Sequence, residues 1–498
     1  MEFAPALLRA VVAVFGGTAL IVTALLTGCA STGNAGPRAS MMPVAQASAS
    51  LPQEHGDWPD DQWAARFGDP QLQALTAEAV AHSPSLQAAM ARVEAARALA
   101  DQVRSGLFPQ LGVEGGFTRE RVSQTDTLRG TPLAGRWFDQ ARLSGVLSYD
   151  VDFWGKHREA LRSALSEVRV AEAEQQAARL LLTTSVARVY VNLATQYALR
   201  DVLSETMQQR QALAHLTQAR LGAGLDTEVT SALQHAGVAS LDAQLTQTDD
   251  DIALTRHQLA ALLGKGPDRG LAIGRPELLA ARTTSQRLPD DARLGLLSRR
   301  PDLVAAKWRV EAASRGINVA RAAFLPDITL NAMAGLTTIT PSDFLLGASR
   351  AFSFGPALTL PVFEGGRLRA NLAGQYAAYD AAVADYNQTL TDALRETADA
   401  VGSLHSVQTE IDQQGRALDL AEHAWQLARA RWRAGLADQI AALDAEAVVL
   451  DQRQQAVQLR SRNADLQIAL IWSLGGGYLG ELPDSPPGSA SASHASTR

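Results

Sequence analysis

The chain has 498 residues, a formal net charge of -7 and a single cysteine. A mildly acidic chain without basic clusters is a poor nucleic-acid binder, and one cysteine allows no intrachain disulfide. Its 9 histidines include no pair at metal-ligand spacing beside a glutamate, and no nucleophile elbow, phosphate loop or dinucleotide fingerprint occurs. No enzymatic activity, metal or cofactor is therefore expected.

Arg9 followed by the apolar run Ala10 to Leu26 has the form of a secretory signal, residues 1–28. Leu26-Thr27-Gly28-Cys29 matches a bacterial lipobox, and the only cysteine stands where its thiol is needed. Cys29 is the expected lipidation site: a thioether to diacylglycerol plus acylation of the new amino terminus anchors the chain in lipid at about 0.8 kcal/mol per buried methylene. Position 30 is Ala rather than Asp, which under enteric-type sorting permits transfer to the outer membrane. Past residue 28 no apolar run of 18 residues occurs, so no transmembrane helix is expected in the mature chain. Residues 29–56, rich in Ser, Ala, Gly and Pro, read as a flexible tether. Trp63, Phe67, Asp69, Pro70 and Leu72 mark the start of the ordered chain, and read equally well as an aromatic cover over a helix start.

From residue 57 onward the chain consists of two copies of one unit. A shift of 217 positions superimposes Pro84 on Pro301, Arg92 to Ala96 on Arg309 to Ala313, and Pro109 on Pro326. The first repeat spans 57–265, a Gly-, Pro- and Arg-rich linker 266–290, the second repeat 291–482, and a Ser- and Pro-rich tail 483–498 is expected to be disordered. In each repeat a helical run meets a proline and turns into alternation. Apolar residues fall on Leu111, Val113 and Phe117, then on Leu143, Leu147, Tyr149 and Val151, with polar or small residues between them. The second repeat has Ile328, Leu330, Ala332, Ala334 and Leu336, then Phe352, Phe354, Leu358, Leu360 and Val362. Period two predicts strands at about 110–122, 138–153, 327–338 and 350–363, each with one apolar face. From Tyr149 onward a shift of 211 fits better, and the change of six places a deletion between the paired strands, within the loop 338–349 relative to its counterpart 122–136. Four strands cannot close a barrel, and unpaired amides in hydrocarbon cost several kcal/mol each. Either several chains pool their strands or the sheet belongs to a soluble sandwich.

Between Gly155 and Gly222 there is neither proline nor glycine, which predicts a helix of roughly 100 Å at about 1.5 Å per residue. Its counterpart from Arg367 to Ala434 contains Gly374, Gly402 and Gly415, where a bend is possible. Each rod ends in a glycine turn, with tips near 222 and 435: Arg220-Leu221-Gly222-Ala223-Gly224-Leu225, and Arg431-Trp432-Arg433-Ala434-Gly435-Leu436. A second helix comes after each turn. Asp249-Asp250-Asp251 reads as a solvated helix face.

The lipobox, the Trp-Phe-Asp-Pro-Leu cluster, Arg299-Arg300-Pro301-Asp302, Ala320-Arg321-Ala322-Ala323-Phe324-Leu325-Pro326 and Phe363-Glu364-Gly365-Gly366-Arg367 together resemble the TolC-like outer membrane efflux factors. The NodT-type lipoprotein branch, which serves RND (resistance-nodulation-division) pumps, is most similar. The resemblance implies a mixed α and β membrane protein: a homotrimer with a twelve-stranded outer membrane β-barrel continuous with a long periplasmic α-helical barrel. It implies a passive exit duct for drugs or other small solutes, partnered by a periplasmic adaptor and an inner membrane RND pump. Pro109, Gly155, Pro326 and Gly366 become helix–strand junctions. Arg220, Gly222, Gly224, Arg431, Gly435 and Leu436 become adaptor-docking positions, and Gln426 and Arg429 line the periplasmic aperture, where family members often carry acids instead. A duct for type I protein secretion is the alternative, followed by a periplasmic coiled-coil adaptor, whose lipoyl-like β-domain is not visible.

Overall fold

The computed structural model describes residues 38–43, 54–121, 123–125, 129–132, 134–277, 287–289 and 292–483. The first repeat contains α1 (Pro70–His82), α2 (Pro84–Ser105), β1 (Gln110–Arg121), β2 (Trp137–Val151), α3 (Lys156–Gly222) and α4 (Glu228–Leu262). The second contains α5 (Ala292–Arg299), α6 (Pro301–Ala322), β3 (Asp327–Thr338), β4 (Arg350–Thr359), α7 (Arg367–Arg433) and α8 (Gln439–Ser473). Duplication extends to length: α2 and α6 have 22 residues each, α3 and α7 have 67, and α4 and α8 have 35. α7 stays helical through Gly374, Gly402 and Gly415, beside each of which there is open space. Among the described residues no helix is long and apolar enough to cross a membrane.

The chain divides into two compact units. Among the described residues, one holds those of 94–169 and 308–385, with 38–41; the other holds those of 42–93, 170–307 and 386–483. In the first unit the strands form one antiparallel sheet in the order β1-β2-β3-β4. Gly335 allows β2 and β3 to approach, since a Cβ there would stand 2.3 Å from the Leu143 carbonyl oxygen. Two strands stop short of the alternation in the sequence: β2 ends at Val151 and β4 at Thr359 rather than near 153 and 363. The reason is pairing. β3 begins at Asp327, directly after Pro326, and with Ile328 opposite Val151 and Asp327 opposite Thr359 nothing remains for further residues to bond.

In the second unit α1, α2, α3, α4 and α8 share a core of Trp63, Phe67, Leu72, Val186, Leu259 and Ile468. Trp63 and Phe67 pack edge to face at 6.1 Å. Asp69 is the hub of this cluster: it caps α1 through the Gln71 amide at 3.0 Å and accepts the Tyr190 hydroxyl at 2.7 Å and the Glu277 amide at 3.0 Å. Burial, then the Asp69 carboxylate, raise the Tyr190 pKa, keeping the phenol a donor. The Arg-Arg-Pro-Asp motif has a matching role. Arg300, 3% exposed, donates to Asp302 at 2.6 Å and to Glu396 of α7 at 2.9 Å, pinning the start of α6.

The segment 29–56, expected as a flexible tether, carries specific contacts where it is described. Arg38 lies 3.7 Å from the Tyr376 ring centroid and donates to Asp380 at 3.1 Å, while the Met42 amide donates to Asn387 at 2.7 Å. Further along, Glu54 pairs with His405 at 2.7 Å and Gly56 bridges to Pro289. Low hydrophobicity rules out a core of its own, but not polar attachment to a helix already folded. The linker likewise contributes Ile273 and Leu288 to the buried set, both 1% exposed.

Candidate functional site

Cross-strand register sorts the sheet into two chemically opposite faces. Leu111, Leu147, Ala332 and Phe354 stand in one row, Val113, Gly145, Ala334 and Phe352 in the next, and Val151, Ile328 and Leu358 in a third. Val113, Phe352 and Phe354 are 76%, 73% and 90% exposed, so among the described residues nothing covers this face. The alternate rows carry Gln110, Ser148 and Asn331, or Arg142 and Thr337. Thr329 there donates to Asp150 at 2.8 Å. From Ala141 to Val151, β2 rises about 33 Å; at a tilt of about 40° that spans roughly 25 Å, the height of the apolar band of an outer membrane barrel.

Aromatic and ionic groups gather at the helix-proximal end of the sheet. Phe108, Phe153, Trp154 and Phe363 are exposed there, as in the interfacial girdles of membrane barrels. Pro109 and Pro326 stand immediately before β1 and β3, and the Trp154 indole donates to the Pro326 carbonyl at 2.8 Å. Gly155 and Gly366, at φ 80° and 88°, turn the chain into α3 and α7, a conformation other residues adopt at a cost. Lys156 pairs with Asp327 at 3.1 Å, tying two junctions together.

Both hairpin tips share one backbone. Gly224 and Gly435 have φ 74° and 70°, and the amides of Leu225 and Leu436 bond back to the carbonyls of Arg220 and Arg431 at 2.8 and 2.9 Å, a Schellman closure. Their side chains differ. Arg220 pairs with Asp226 at 3.3 Å, whereas no carboxylate lies within ion-pair distance of Arg431 or Arg433 among the described residues. Gly222, Gly224, Arg431, Gly435 and Leu436 are all exposed.

Gln426 and Arg429 lie exposed on α7. The Arg429 guanidinium sits 5.6 Å from the Trp425 ring centroid. Nearby, Glu422 pairs with Arg453 of α8 at 3.1 Å, and Arg453 also holds Glu205 of α3 at 2.8 Å. Close by is a cavity of about 390 Å³ lined by Trp425, Glu205, Leu443, Glu446 and Arg453. Burial pushes the Glu446 carboxyl up, against the opposing pull of Arg429 and Arg453. Two further polar contacts tie α3 to α8, Thr195 with Ser461 at 2.6 Å and Gln209 with the Leu443 carbonyl at 2.8 Å. These contacts could not be read from the sequence because none has a spacing signature. Asp249 of the acidic run pairs with Arg200 at 2.5 Å. Cys29, residues 1–37 and the tail from 484 lie outside the described residues.

The chain is 37% identical to the fusaric acid resistance protein FusA of Burkholderia cepacia over 71% of its own length and 67% of that protein's. It is 32% identical to the multidrug resistance outer membrane protein MdtP of Shigella flexneri, over 84% and 87% of the two chains. The crystal structure of the outer membrane protein VceC from Vibrio cholerae superposes with a TM-score of 0.77 at 38% identity, over 84% of this chain and 100% of that one. The sequence profile of the outer membrane efflux protein family matches residues 75–265 and 295–476. With that match over most of both repeats, and a sheet whose bare apolar face has the height of a membrane, the chain belongs to the outer membrane efflux protein family.

Proposed function

We propose that three copies of this chain pool their strands into a closed twelve-stranded barrel and serve as the passive exit duct of a tripartite pump. The observation that carries this reading is the open sheet: four strands, apolar and bare on one face, polar on the other, with β1 and β4 as its two edges. In hydrocarbon those edges are tolerable only when another chain pairs them. Three copies suffice to close a barrel wide enough for a water-filled lumen lined by the polar rows. Two helical hairpins per chain supply the periplasmic part, and their tips meet an adaptor that links the duct to an inner membrane RND transporter. That transporter supplies the energy. Drugs and other small solutes are the cargo, as the names of the two relatives support. Cys29 carries the lipid that holds the assembly at the outer membrane.

Crosslinking of the purified protein in detergent, followed by mass measurement, is expected to give a trimer that conducts ions in planar bilayers. A species that stays monomeric after crosslinking and conducts nothing would overturn the reading.

A further inference from the structure

We propose that the second hairpin tip recognises acidic side chains on its helical partner, whereas the first tip, neutralised from within, does not. The proposal rests on the adaptor-docking reading and adds the chemistry of the contact.

The duplication makes the comparison position by position. Under the shift of 211, Gln218 aligns with Arg429, Arg220 with Arg431, Gly222 with Arg433, Asp226 with Ala437 and Glu228 with Gln439. Over residues 218–228, Arg220 against Asp226 and Glu228 leaves a net charge of -1; over 429–439, Arg429, Arg431 and Arg433 against Asp438 leave +2. Backbone geometry is the same in both, so the difference lies in side chains alone. In the first tip Asp226 accepts from the Thr227 amide at 2.9 Å and takes the Arg220 guanidinium, which closes the local charge. In the second, Ala437 occupies that place, and Asp438 is committed to capping α8 through the Ala441 amide at 2.9 Å.

Helix dipole stabilisation does not account for three arginines. A cation in the last turn is favourable, and the first tip obtains that from Arg220 alone. Arg429 and Arg433 lie at i and i+4, where like charges repel along one helix face. Leu436, 72% exposed, and the part-exposed Trp432 supply apolar contact beside the cations. A helical partner presenting Asp or Glu next to an apolar residue satisfies both demands.

The test uses the full-length oligomer in detergent and the purified periplasmic adaptor of its pump, with binding measured at about 50 and about 300 mM NaCl, conditions that change screening strongly. Ala437→Asp installs the acid that the first tip already tolerates on the same backbone; Arg431→Gln with Arg433→Gln removes the cations without adding charge. Each variant is first checked as a heat-resistant oligomer. Both are expected to weaken binding about tenfold at low salt and to flatten its salt dependence. If the wild type binds and both variants match its affinity and salt slope, the charge assignment is overturned while the docking reading stands. If the wild type does not bind at all, both fall.

Discussion

Gly264 and Gly475 show the duplication at the scale of single atoms. Both sit at positive φ after the second helix of a hairpin, at 71° and 86°, and an added Cβ would stand 2.5 Å from the His82 carbonyl oxygen in one and 1.8 Å from that of Arg299 in the other. Those two carbonyls are themselves 217 positions apart. Gly475→Ala is therefore expected to abolish heat-resistant oligomer, read as band shift on an unheated gel. Gly224→Ala, at φ 74° with open space around it, should cost only the left-handed backbone penalty of about 1–2 kcal/mol and leave the oligomer assembled. Glu446 gives a pH-dependent case. Burial raises its folded-state pKa, so the carboxylate is destabilising above that pKa and the penalty disappears as pH falls below the ordinary value of 4.5. Glu446→Gln should then raise the dissociation temperature of the oligomer at neutral pH and leave it unchanged near pH 4. The glycine turns were legible in the sequence, because positive φ selects one residue type. The surroundings of Glu446 were not, because Glu205, Trp425 and Arg453 converge from three helices and leave no local pattern.

Strands and helices were legible to different depths. Alternation identified both faces of every strand without knowledge of the partner, since side chains alternate whatever the register. Strand ends were not legible, because pairing decides them: the alternation at Leu360 and Val362 continues past the last residue of β3 available to bond. The two faces make opposite demands on charge. Leu147→Arg, in the row with Phe354, is expected to cost about 2–4 kcal/mol in the membrane and to reduce the amount of protein recovered in outer membrane fractions. Ser148→Arg, one residue away in the row with Gln110 and Asn331, should insert at near wild-type levels. Equal loss from both would mean that the faces are not chemically distinct in place. For the rods, absence of proline and glycine was a sufficient guide to α3, while α7 shows that three glycines open to solvent do not break a helix already packed elsewhere.

For the whole assembly, the proposed aperture makes a prediction of its own. If Arg429 from each copy faces the lumen, Arg429→Asp should move the ion selectivity of the reconstituted duct toward cations; unchanged selectivity would place the residue outside the conduction path. The sequence alone determined that the chain is two copies of one unit, that each unit alternates long helices with amphipathic strands, and that its sheet is too small to close. Those properties are periodic or local, and periodicity survives without coordinates. Tertiary structure decided what depends on residues far apart in the chain. It seats Arg38 on Tyr376, closes Arg300 between Asp302 and Glu396, and pairs Glu205 and Glu422 with one arginine of α8. It also shows Arg220 paired with Asp226, whereas among the described residues no carboxylate pairs with Arg431, although the two tips share one backbone geometry. Charge at a surface is set by which side chains meet in space, and one-dimensional spacing does not specify that meeting.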